Sequence, residues 1–421
     1  MILYNGNILS DDALPTVMDG LWEKCMEAIV GRKTVADMAK DVIDACATLA
    51  ERMASGKYDD ILESLFEQGL FSKVQFEEAV NIFEKKNLTA KYDTELGVLI
   101  QNMDHISGRS VEPLGILFHI AAGNAEGLPF FSVIEGLMSG NVNILKLPSA
   151  DDGISIMLLH ELVQICPYLA SYVCVVDVPS TDMVMMKRLA DMADAVVVWG
   201  GDEAVKAVRT MVDVKTQVIG WGHKLSFAYA TCEATDEELR QLAEHICITR
   251  QVLCNSCQGI FVDTEDEQTV TDMAMRFLRI LEEVSRDYPK ESIGVRGKVS
   301  ISLYNEELES YDTGRKVLRG NGVSVIVSMD HTLELSYMFK NCWVKPLPRT
   351  HIIKALKGNK GHLQTVGLLC GERERKELAD LFTKTGVTHI TRADGMSRAP
   401  IGMAHDGEYP LRRYTKIVEV E

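Results

Sequence analysis

The spacing of hydrophobic and polar positions changes along the chain at about residue 113. Over residues 11–87, stretches such as TVADMAKDVIDACATLAERMASG repeat apolar residues every three or four positions and end in glycine. This spacing is typical of amphipathic helices. We therefore expect residues 1–112 to form a helical N-terminal region with a possible arm.

From residue 113 onward, short apolar runs alternate with helical patterns. The runs are LGILFHIAA, NVNILKL, SYVCVVDVP, DAVVVWGG and TQVIG. Such alternation is typical of βαβ units in a parallel sheet. Strands of this kind are buried on both faces, which explains their continuous apolar character. The pattern predicts a nucleotide-binding α/β domain over residues 113–223.

A second block, residues 224–400, has the same mixed character. Its strand candidates are LSFAYA, QGIFVD, VSISLYN, VSVIVS, QTVGLLC and VTHIT, and its helix candidates are residues 236–249, 267–287 and 372–385. The tail 401–421 includes PLRRYTKIVEVE, which alternates like a strand. A terminal strand often pairs with another element or another subunit. The predicted fold class is α/β, with two α/β domains that contain parallel sheets, an N-terminal helical layer and a C-terminal strand-like oligomerisation arm.

Charge and composition exclude several classes of protein. Asp and Glu outnumber Lys and Arg by 61 to 44, which gives a formal charge of −17 and argues against a nucleic-acid partner. No segment approaches the roughly 18 consecutive apolar residues that a membrane span needs. The N-terminal residues lack the basic start and cleavage site of a signal peptide. Ten cysteines in 421 residues are too few for a disulfide scaffold. We therefore expect a cytoplasmic protein.

Two places in the first α/β domain could contact a nucleotide. Gly200-Gly201 separates a buried strand from a helix, and backbone N–H groups at such a turn can approach phosphate oxygens. Lys146 ends the strand NVNILKL, where a side chain faces the crevice in which open α/β sheets bind ligands. Many βα turns carry glycine, and a lysine at a strand end can simply be solvated. The chain has neither G-x-G-x-x-G nor G-x-x-x-x-G-K-[ST], which disfavours an ordinary Rossmann dehydrogenase or a P-loop enzyme.

Asn124 is a candidate for stabilising negative charge on an oxygen atom. In AAGNAEGLPFF a strand ends, Gly123-Asn124 turns the chain, and Pro129 suits the first turn of a helix. An amide donor near a helix N-terminus suits a developing oxyanion. As a turn residue alone, Asn124 would be unremarkable.

The stretch RQVLCNSCQGIFVD contains Cys254 and Cys257, three positions apart. A redox pair usually opens a helix in a small βαβ fold, and a zinc site needs about four ligands, so both interpretations are disfavoured. A purely structural pair remains open. The other interpretation is one nucleophile, Cys254, in a polar turn between helix and strand, where Arg250 could favour the thiolate.

These motifs together resemble the long-chain acyl-CoA reductases of the LuxC type, within the aldehyde dehydrogenase superfamily. The resemblance covers roughly residues 90–421. The matching stretches are HIAAGNAEGLPFFSVIEGLMSGNVNILKLPS, Gln251 to Gln258, Gln364-Thr365-Val366-Gly367 and His405-Asp406-Gly407. Cys257 stands where relatives usually have proline, and His405-Asp406-Gly407 has no assigned role.

The resemblance implies roles for the site residues. Cys254 would be the nucleophile, and Asn124 with the Cys254 backbone N–H would form the oxyanion hole. Hydrolytic aldehyde dehydrogenases carry a glutamate that activates water, and here that position is Gly220. Without this general base, attack by water on an acyl-enzyme should be slow, whereas a thiol such as coenzyme A needs less help. The resemblance therefore implies reduction of an acyl thioester, such as an acyl-CoA, to an aldehyde.

The resemblance also implies a cofactor and partners. Lys146 would contact the adenosine ribose, and Gly200 and Gly201 would lie beside the cofactor phosphates. Ser149 is small and neutral where NAD-preferring relatives often have an acidic residue, so it would tolerate a 2′-phosphate. We expect NADPH, with NADH possible. The acyl carrier could be coenzyme A, an acyl carrier protein or an acyl-protein synthetase partner, and the assembly a homodimer or homotetramer. The rival functions are an aldehyde dehydrogenase that forms acids or acyl-CoA, and a non-catalytic nucleotide or acyl-carrier binding module.

Overall fold

The N-terminal region is helical, as its apolar spacing predicts, but it begins with a β-hairpin. The computed structural model describes residues 1–59, 80–104, 108–121, 127–148, 153–398 and 402–421. The first elements are β1 (Ile2–Tyr4), β2 (Asn7–Leu9), α1 (Leu14–Val30), α2 (Val35–Ala54), α3 (Lys85–Tyr92) and α4 (Val98–Asp104). The hairpin turns at Asn5-Gly6, where both residues have positive φ. Asn-Gly is the dipeptide that two-residue hairpin turns favour, and this signal was overlooked in the sequence.

Helix α2 shows how the local sequence fixes these elements. Thr34 caps its N-terminus, because the Thr34 hydroxyl accepts the Asp37 N–H at 3.1 Å. Its buried residues include Met38, Val42 and Cys46, which recur every four positions on one face. The apolar face therefore packs inward while the opposite face stays in solvent.

The described residues divide into two compact units. Unit 1 comprises Met1–Gly222 and Pro400–Glu421, and unit 2 comprises His223–Ala399. Unit 1 continues with β3 (Arg109–Pro113), β4 (Ile116–Ile120), α5 (Leu128–Met138), β5 (Val142–Lys146), α6 (Ile154–Ile165), β6 (Val173–Val176), α7 (Met183–Met192), β7 (Ala195–Trp199), α8 (Asp202–Met211) and β8 (Gln217–Trp221).

The main sheet of unit 1 has the order β2-β1-β6-β5-β4-β7-β8. Strands β6, β5, β4, β7 and β8 are parallel, and β1 joins β6 in the antiparallel sense. The chain order reverses between β4 and β7. In open α/β sheets the crevice beyond the carboxyl ends of strands at such a reversal is where ligands bind. Lys146 ends β5, beside β4, and Gly200 follows β7.

The C-terminal arm pairs within its own chain. It forms α14 (Pro410–Arg413) and β16 (Thr415–Glu419), and β16 pairs with β3 in an antiparallel two-stranded sheet. The arm is also anchored in the core, because Tyr414 is fully buried and its carbonyl accepts the Asn141 amide at 3.0 Å. The Leu411 N–H donates to the buried Glu95 carboxylate at 2.9 Å. A role of this arm in oligomerisation stays a prediction.

Unit 2 is a second α/β unit around a seven-stranded sheet. Its elements are β9 (Leu225–Ala230), α9 (Asp236–Thr249), β10 (Cys257–Val262), α10 (Glu267–Val284), α11 (Ile293–Thr313), β11 (Lys316–Arg319), β12 (Ser324–Val327), β13 (Asn341–Pro346), α12 (Ile352–Leu356), β14 (Leu363–Leu369), α13 (Glu372–Thr385) and β15 (His389–Arg392). The strand order is β11-β12-β13-β10-β9-β14-β15, and every pair except β11–β12 is parallel. The predicted α/β class is confirmed.

In unit 2 one predicted strand was wrong, and strands β11 and β13 were not predicted. The run VSISLYN, predicted as a strand, lies inside helix α11, which begins at a Ser292 cap whose hydroxyl accepts the Val295 N–H. Only part of this run is buried, since Leu303 packs inward while Ile301 and Tyr304 are exposed. Strand β13 was missed, because NCWVKP mixes polar and apolar residues although the strand is buried throughout.

No helix in the described ranges combines the length and the apolar character that crossing a bilayer requires.

Candidate active site

The two cysteines of RQVLCNSCQGIFVD lie in different environments. Cys254 is exposed in the turn between α9 and β10, at the amino edge of the unit 2 sheet. Cys257 is the first residue of β10 and is fully buried, with its thiol donating to the Gly259 carbonyl at 3.2 Å. Burial raises the pKa of Cys257 to about 12. A thiol in that state is protonated and inaccessible, so only Cys254 is placed to react. Among the described residues, neither cysteine belongs to a cluster of three metal-ligating side chains.

Hydrogen bonds from neighbouring strands hold the turn that carries Cys254. The Ser226 hydroxyl, on β9, donates to the Cys254 carbonyl at 2.8 Å and accepts the Thr365 N–H of β14 at 3.1 Å. Within the turn, the Leu253 N–H donates to the Ser256 hydroxyl at 2.9 Å. The backbone at Cys254 is therefore fixed from the sheet, and Ser226 is a positioning residue that the sequence did not reveal.

Gln251 connects this turn to the start of β13. Its buried amide nitrogen donates to the Cys257 carbonyl at 2.9 Å and to the Ser336 hydroxyl at 3.1 Å. Its amide oxygen accepts the N–H groups of Lys340 at 3.0 Å and Asn341 at 3.1 Å. One side chain thus satisfies two buried N–H donors and one buried carbonyl around the candidate nucleophile.

The backbone that Gln251 holds is strained. Met338, Phe339 and Lys340 have φ of 59°, 51° and 71°, and none of them is glycine. The Asn341 amide donates to the carbonyls of Met338 and Phe339, and the Phe339 N–H donates to the Arg250 carbonyl at 3.0 Å. Such a left-handed run persists only where surrounding contacts impose it, and it is a common feature of functional sites.

Arg250 does not have the environment that the sequence suggested. Its guanidinium forms an ion pair with Glu291, with Nε 3.1 Å from the carboxylate, and it lies over the Phe339 ring. The neighbouring carboxylate offsets its charge. The suggestion that Arg250 favours the Cys254 thiolate therefore gains no support from this arrangement.

The Gln364-to-Gly367 motif packs against a segment that contacts the turn containing Cys254. It lies on β14, where a Cβ at Gly367 would come within 2.4 Å of the Met396 sulfur. The Met396 carbonyl accepts the Asn255 amide at 3.0 Å. Because Gly367 has no side chain, Met396 fits beside it, and the Met396 carbonyl holds Asn255, the residue next to Cys254.

His245 links the active-site turn to the same segment. Its Nε2 accepts the Cys257 N–H at 3.2 Å, so the ring proton is on Nδ1, 2.6 Å from the Ser397 hydroxyl. Burial lowers the pKa of His245 to about 4 from the usual 6.5. The folded chain therefore keeps this imidazole neutral.

We expect acidification to lower the stability of the protein, because the folded chain resists protonation of His245. The pKa of His245 is about 4 in the folded chain and 6.5 in the unfolded chain, so the unfolded chain binds the proton first as the pH falls. The stabilisation is complete above pH 6.5 and disappears toward pH 4, a change on the order of 2–3 kcal/mol. Urea unfolding at a series of pH values measures it. His245→Gln should reduce the slope and leave the part that the equally buried His119 contributes, since burial lowers the pKa of His119 to about 4 as well. An identical slope in the variant and the wild type would contradict the assignment.

The candidate cofactor residues lie at the carboxyl edge of the unit 1 sheet. Lys146 is nearly buried, its ammonium donates to the Ser180 hydroxyl at 3.0 Å, and burial lowers its pKa. Among the described residues, no carboxylate lies within ion-pair distance of it, so it could accept an anionic or hydroxyl-rich ligand. The Gly200 N–H already donates to the Trp221 carbonyl at 3.2 Å, whereas a Cβ at Gly201 would meet nothing within 4 Å.

Two further site predictions, Asn124 and Ser149, lie outside the described residues. The first falls in residues 122–126 and the second in residues 149–152. The oxyanion hole and the cofactor preference therefore stay predictions.

The His405-Asp406-Gly407 motif packs beside the cofactor candidates of unit 1. The His405 ring lies 4.9 Å from Trp221 and 5.2 Å from Trp199, and the two indoles stack at 5.4 Å. Trp199 directly precedes Gly200 at the end of β7. The motif thus forms an aromatic wall at the carboxyl ends of β7 and β8.

Gly220 occupies a tight position on β8. A Cβ there would lie 3.2 Å from a Val205 methyl group, closer than most real Cβ contacts. A glutamate side chain at this position would require Val205 to move. Glycine, which cannot act as a general base, therefore fits the packing at this position.

Known proteins resemble this chain both in sequence and in fold. Residues 35–417 match the family described as acyl-CoA reductase (LuxC). The long-chain acyl-protein thioester reductase of Aliivibrio fischeri is 26% identical over 326 residues, covering 74% of this chain and 64% of that protein. The relative from Vibrio harveyi is 24% identical over 316 residues, covering 73% of this chain and 65% of that protein. The chain thus spans just under two thirds of the length of these relatives.

Solved structures show the likeness of fold. The bifunctional proline utilization A protein superposes with a TM-score of 0.72 at 15% identity, over 98% of this chain and 45% of that one. An NAD-dependent benzaldehyde dehydrogenase from Corynebacterium glutamicum gives a TM-score of 0.66 at 13% identity, over 96% and 89%. The predicted aldehyde dehydrogenase-like fold is confirmed, and the chain belongs to the acyl-CoA reductase (LuxC) family.

Proposed function

We propose that this protein reduces an acyl thioester to an aldehyde through a thioester on Cys254. The observation that carries the proposal is the contrast between the exposed Cys254 and the buried Cys257, in a turn fixed from β9 and β14. A fixed, accessible thiol beside an inert one suits covalent acyl transfer and does not suit a redox pair. The names of the relatives, long-chain acyl-protein thioester reductases, support the same chemistry.

The reaction divides into acyl transfer and reduction. The Cys254 thiolate attacks the thioester carbonyl, the new C–S bond forms, and the carrier leaves as a thiolate. When bound, NADPH supplies the hydride that reduction of an acyl group requires. The resulting thiohemiacetal oxyanion on Cys254 then collapses: its carbonyl bond forms again, the C–S bond breaks, and aldehyde and the Cys254 thiolate result. Cys254 thus returns to its starting state.

Unit 1 offers groups that fit the cofactor. Lys146 would bind the adenosine ribose hydroxyls, and the open backbone at Gly201 would approach the phosphates. The acidic side chains that begin α8, Asp202 and Glu203, oppose a phosphate at that helix terminus, so Lys146 would be the main contact. We propose NADPH over NADH because Ser149 is uncharged.

A basic pocket in unit 2 supports a phosphate-bearing acyl carrier. The pocket holds about 280 Å³ and shares Glu291, Phe339, Lys340 and Asn341 with the contacts around the active-site turn. Its cationic lining residues are Arg286, Lys290, Arg296, Arg319 and Lys340, against one acidic residue, Glu291.

Part of the positive charge in this pocket is not neutralised. Glu291 pairs with Arg250 and Arg319 pairs with Glu307, but within the described ranges no carboxylate lies within 4.0 Å of Lys290 or Arg296. In a chain of charge −17, such a pocket favours an anionic ligand. We propose that it binds the phosphates of coenzyme A or the phosphopantetheine of an acyl carrier protein.

One panel of thioesters tests this function. The same acyl group would be presented on coenzyme A, on acyl carrier protein and on N-acetylcysteamine, which has no phosphate. We expect aldehyde formation with NADPH oxidation, an acyl adduct on Cys254 by intact-protein mass spectrometry, and kcat/KM at least about tenfold higher for the phosphate-bearing carriers.

Other outcomes of this panel would exclude the proposal. Oxidation of added aldehyde to acid, with no reduction of any thioester, would identify an aldehyde dehydrogenase. Failure of every thioester to acylate Cys254 would indicate a binding module. Equal kcat/KM for all carriers would retain the reductase but remove the role of the basic pocket.

A further inference from the structure

Three neighbouring loops of unit 2 bring two histidines and a glutamate together. Strands β12, β13 and β10 are adjacent and parallel, so their carboxyl ends lie at one edge of the sheet. His331 follows β12, His351 follows β13, and Glu265 follows β10. Cys254 precedes β10, so this edge is the one opposite the candidate nucleophile.

The ligand atoms of the three side chains converge on one point. The Glu265 carboxylate lies 3.1 Å from His331 Nε2 and 3.2 Å from His351 Nδ1. All three ligand atoms lie within 4.8 Å of one another. Bonds of about 2.0–2.1 Å to a tetrahedral zinc ion place its ligand atoms about 3.3–3.4 Å apart. The two distances from the Glu265 carboxylate already match this value. A small rotation of the imidazoles would bring the His331 and His351 nitrogens to the same distance from each other.

Ion pairs at this edge of the sheet fix the loops that carry these ligands. The fully buried Lys345 ammonium donates to Asp330 at 2.8 Å, directly beside His331. The Arg349 N–H and Nε each donate to Asp263 at 2.8 Å, which joins the His351 loop to the Glu265 loop. Such outer contacts orient metal ligands and reduce the entropy lost on binding.

We propose that Glu265, His331 and His351 bind a divalent transition-metal ion, with zinc the best match. Two imidazoles and one carboxylate are a common donor set for zinc, and carboxylate-only chemistry of the Ca²⁺ or Mg²⁺ type is absent from this cluster. The ligands are exposed or half-buried, so the fourth position would be open to water. A bound ion would join three loops of the sheet and stabilise unit 2. The proposal does not depend on the proposed function.

Metal titration of the whole 421-residue chain tests the site. After chelator treatment, Co²⁺ is added and its absorption followed, and Zn²⁺ affinity is measured by competition with a chromophoric chelator. We expect one equivalent to bind without a thiolate-to-metal band, and Zn²⁺ to raise the melting temperature. His331→Ala and His351→Ala should each weaken binding by at least about tenfold. Circular dichroism and the metal-free melting temperature confirm that these variants fold.

Two matched variants serve as controls. His160→Ala removes a histidine of unit 1 that contacts Gln164, and Cys254→Ala removes an exposed thiol that could bind zinc by itself. Both should bind the metal like the wild type. Equal affinity in the wild type and both ligand variants, loss of binding with Cys254→Ala, or no binding at all would overturn the proposal.

Discussion

Replacing Cys254 by alanine is expected to abolish acyl-enzyme formation and to lower reductase activity by about 10⁴-fold or more. Without the thiolate, the acyl group has no covalent intermediate. Cys257→Ala should keep most of the activity, because its thiol is buried, protonated and bonded to the Gly259 carbonyl. Its loss leaves only a small cavity, which costs about 1 kcal/mol of stability.

Two measurements separate these variants. Intact-protein mass after incubation with an acyl thioester reports the adduct, and NADPH-dependent aldehyde formation reports turnover. Iodoacetamide labelling in the wild type should modify Cys254 far faster than Cys257. Comparable loss of activity in both variants, with both proteins folded, would refute a single nucleophile.

Replacing Gln251 by alanine is expected to destabilise the protein by about 2–4 kcal/mol and to slow acylation of Cys254. The reason is the number of buried groups that depend on this one amide. The Lys340 N–H and the Cys257 carbonyl would lose this partner, and the Asn341 N–H would keep only its 3.0 Å hydrogen bond to the Met338 carbonyl. Each unsatisfied buried group costs about 1–3 kcal/mol, partly recovered by relaxation or by water. The left-handed run 338–340 would also lose support.

Two variants calibrate the effect of Gln251. Gln251→Glu keeps an acceptor for the two N–H groups but loses the donor to Cys257, so it should show an intermediate loss. Gln241→Ala removes a glutamine from the outer part of α9, where it bonds only Glu237 among the described residues, and should be near neutral. Denaturant unfolding and the rate of Cys254 acylation are the readouts. If Gln251→Ala behaved like Gln241→Ala, the proposed role in positioning would be wrong.

The sequence predicted the parts of this molecule that are encoded locally. Parallel strands buried on both faces give continuous apolar runs, and β4 to β7 followed that rule. The turn containing Cys254 could be located because it stands between an amphipathic helix and an apolar run. The strand prediction for VSISLYN in helix α11 was wrong because this run is apolar at positions that are largely exposed.

Interactions between distant residues could not be predicted in this way. Gln251 meets Lys340 and Asn341 across about ninety positions, and no glycine marks the left-handed run that it holds. The cluster of Glu265, His331 and His351 arises only because β10, β12 and β13 become neighbours. Spacing along a chain does not show strand order, so such clusters emerge only from the fold.

The C-terminal arm has a consequence for how the chain folds during synthesis. Unit 1 needs Leu411 and Tyr414 in its core, yet these residues are made after all of unit 2. At about 5–20 residues per second, a ribosome that has completed unit 1 up to Gly222 needs roughly 10–40 s to reach the arm. During that interval β3 has no partner strand and the Glu95 carboxylate lacks its Leu411 N–H donor. Unit 2 is contiguous and can fold first, so the nascent chain exposes an unfinished unit 1 that chaperones can bind until residues 402–421 emerge.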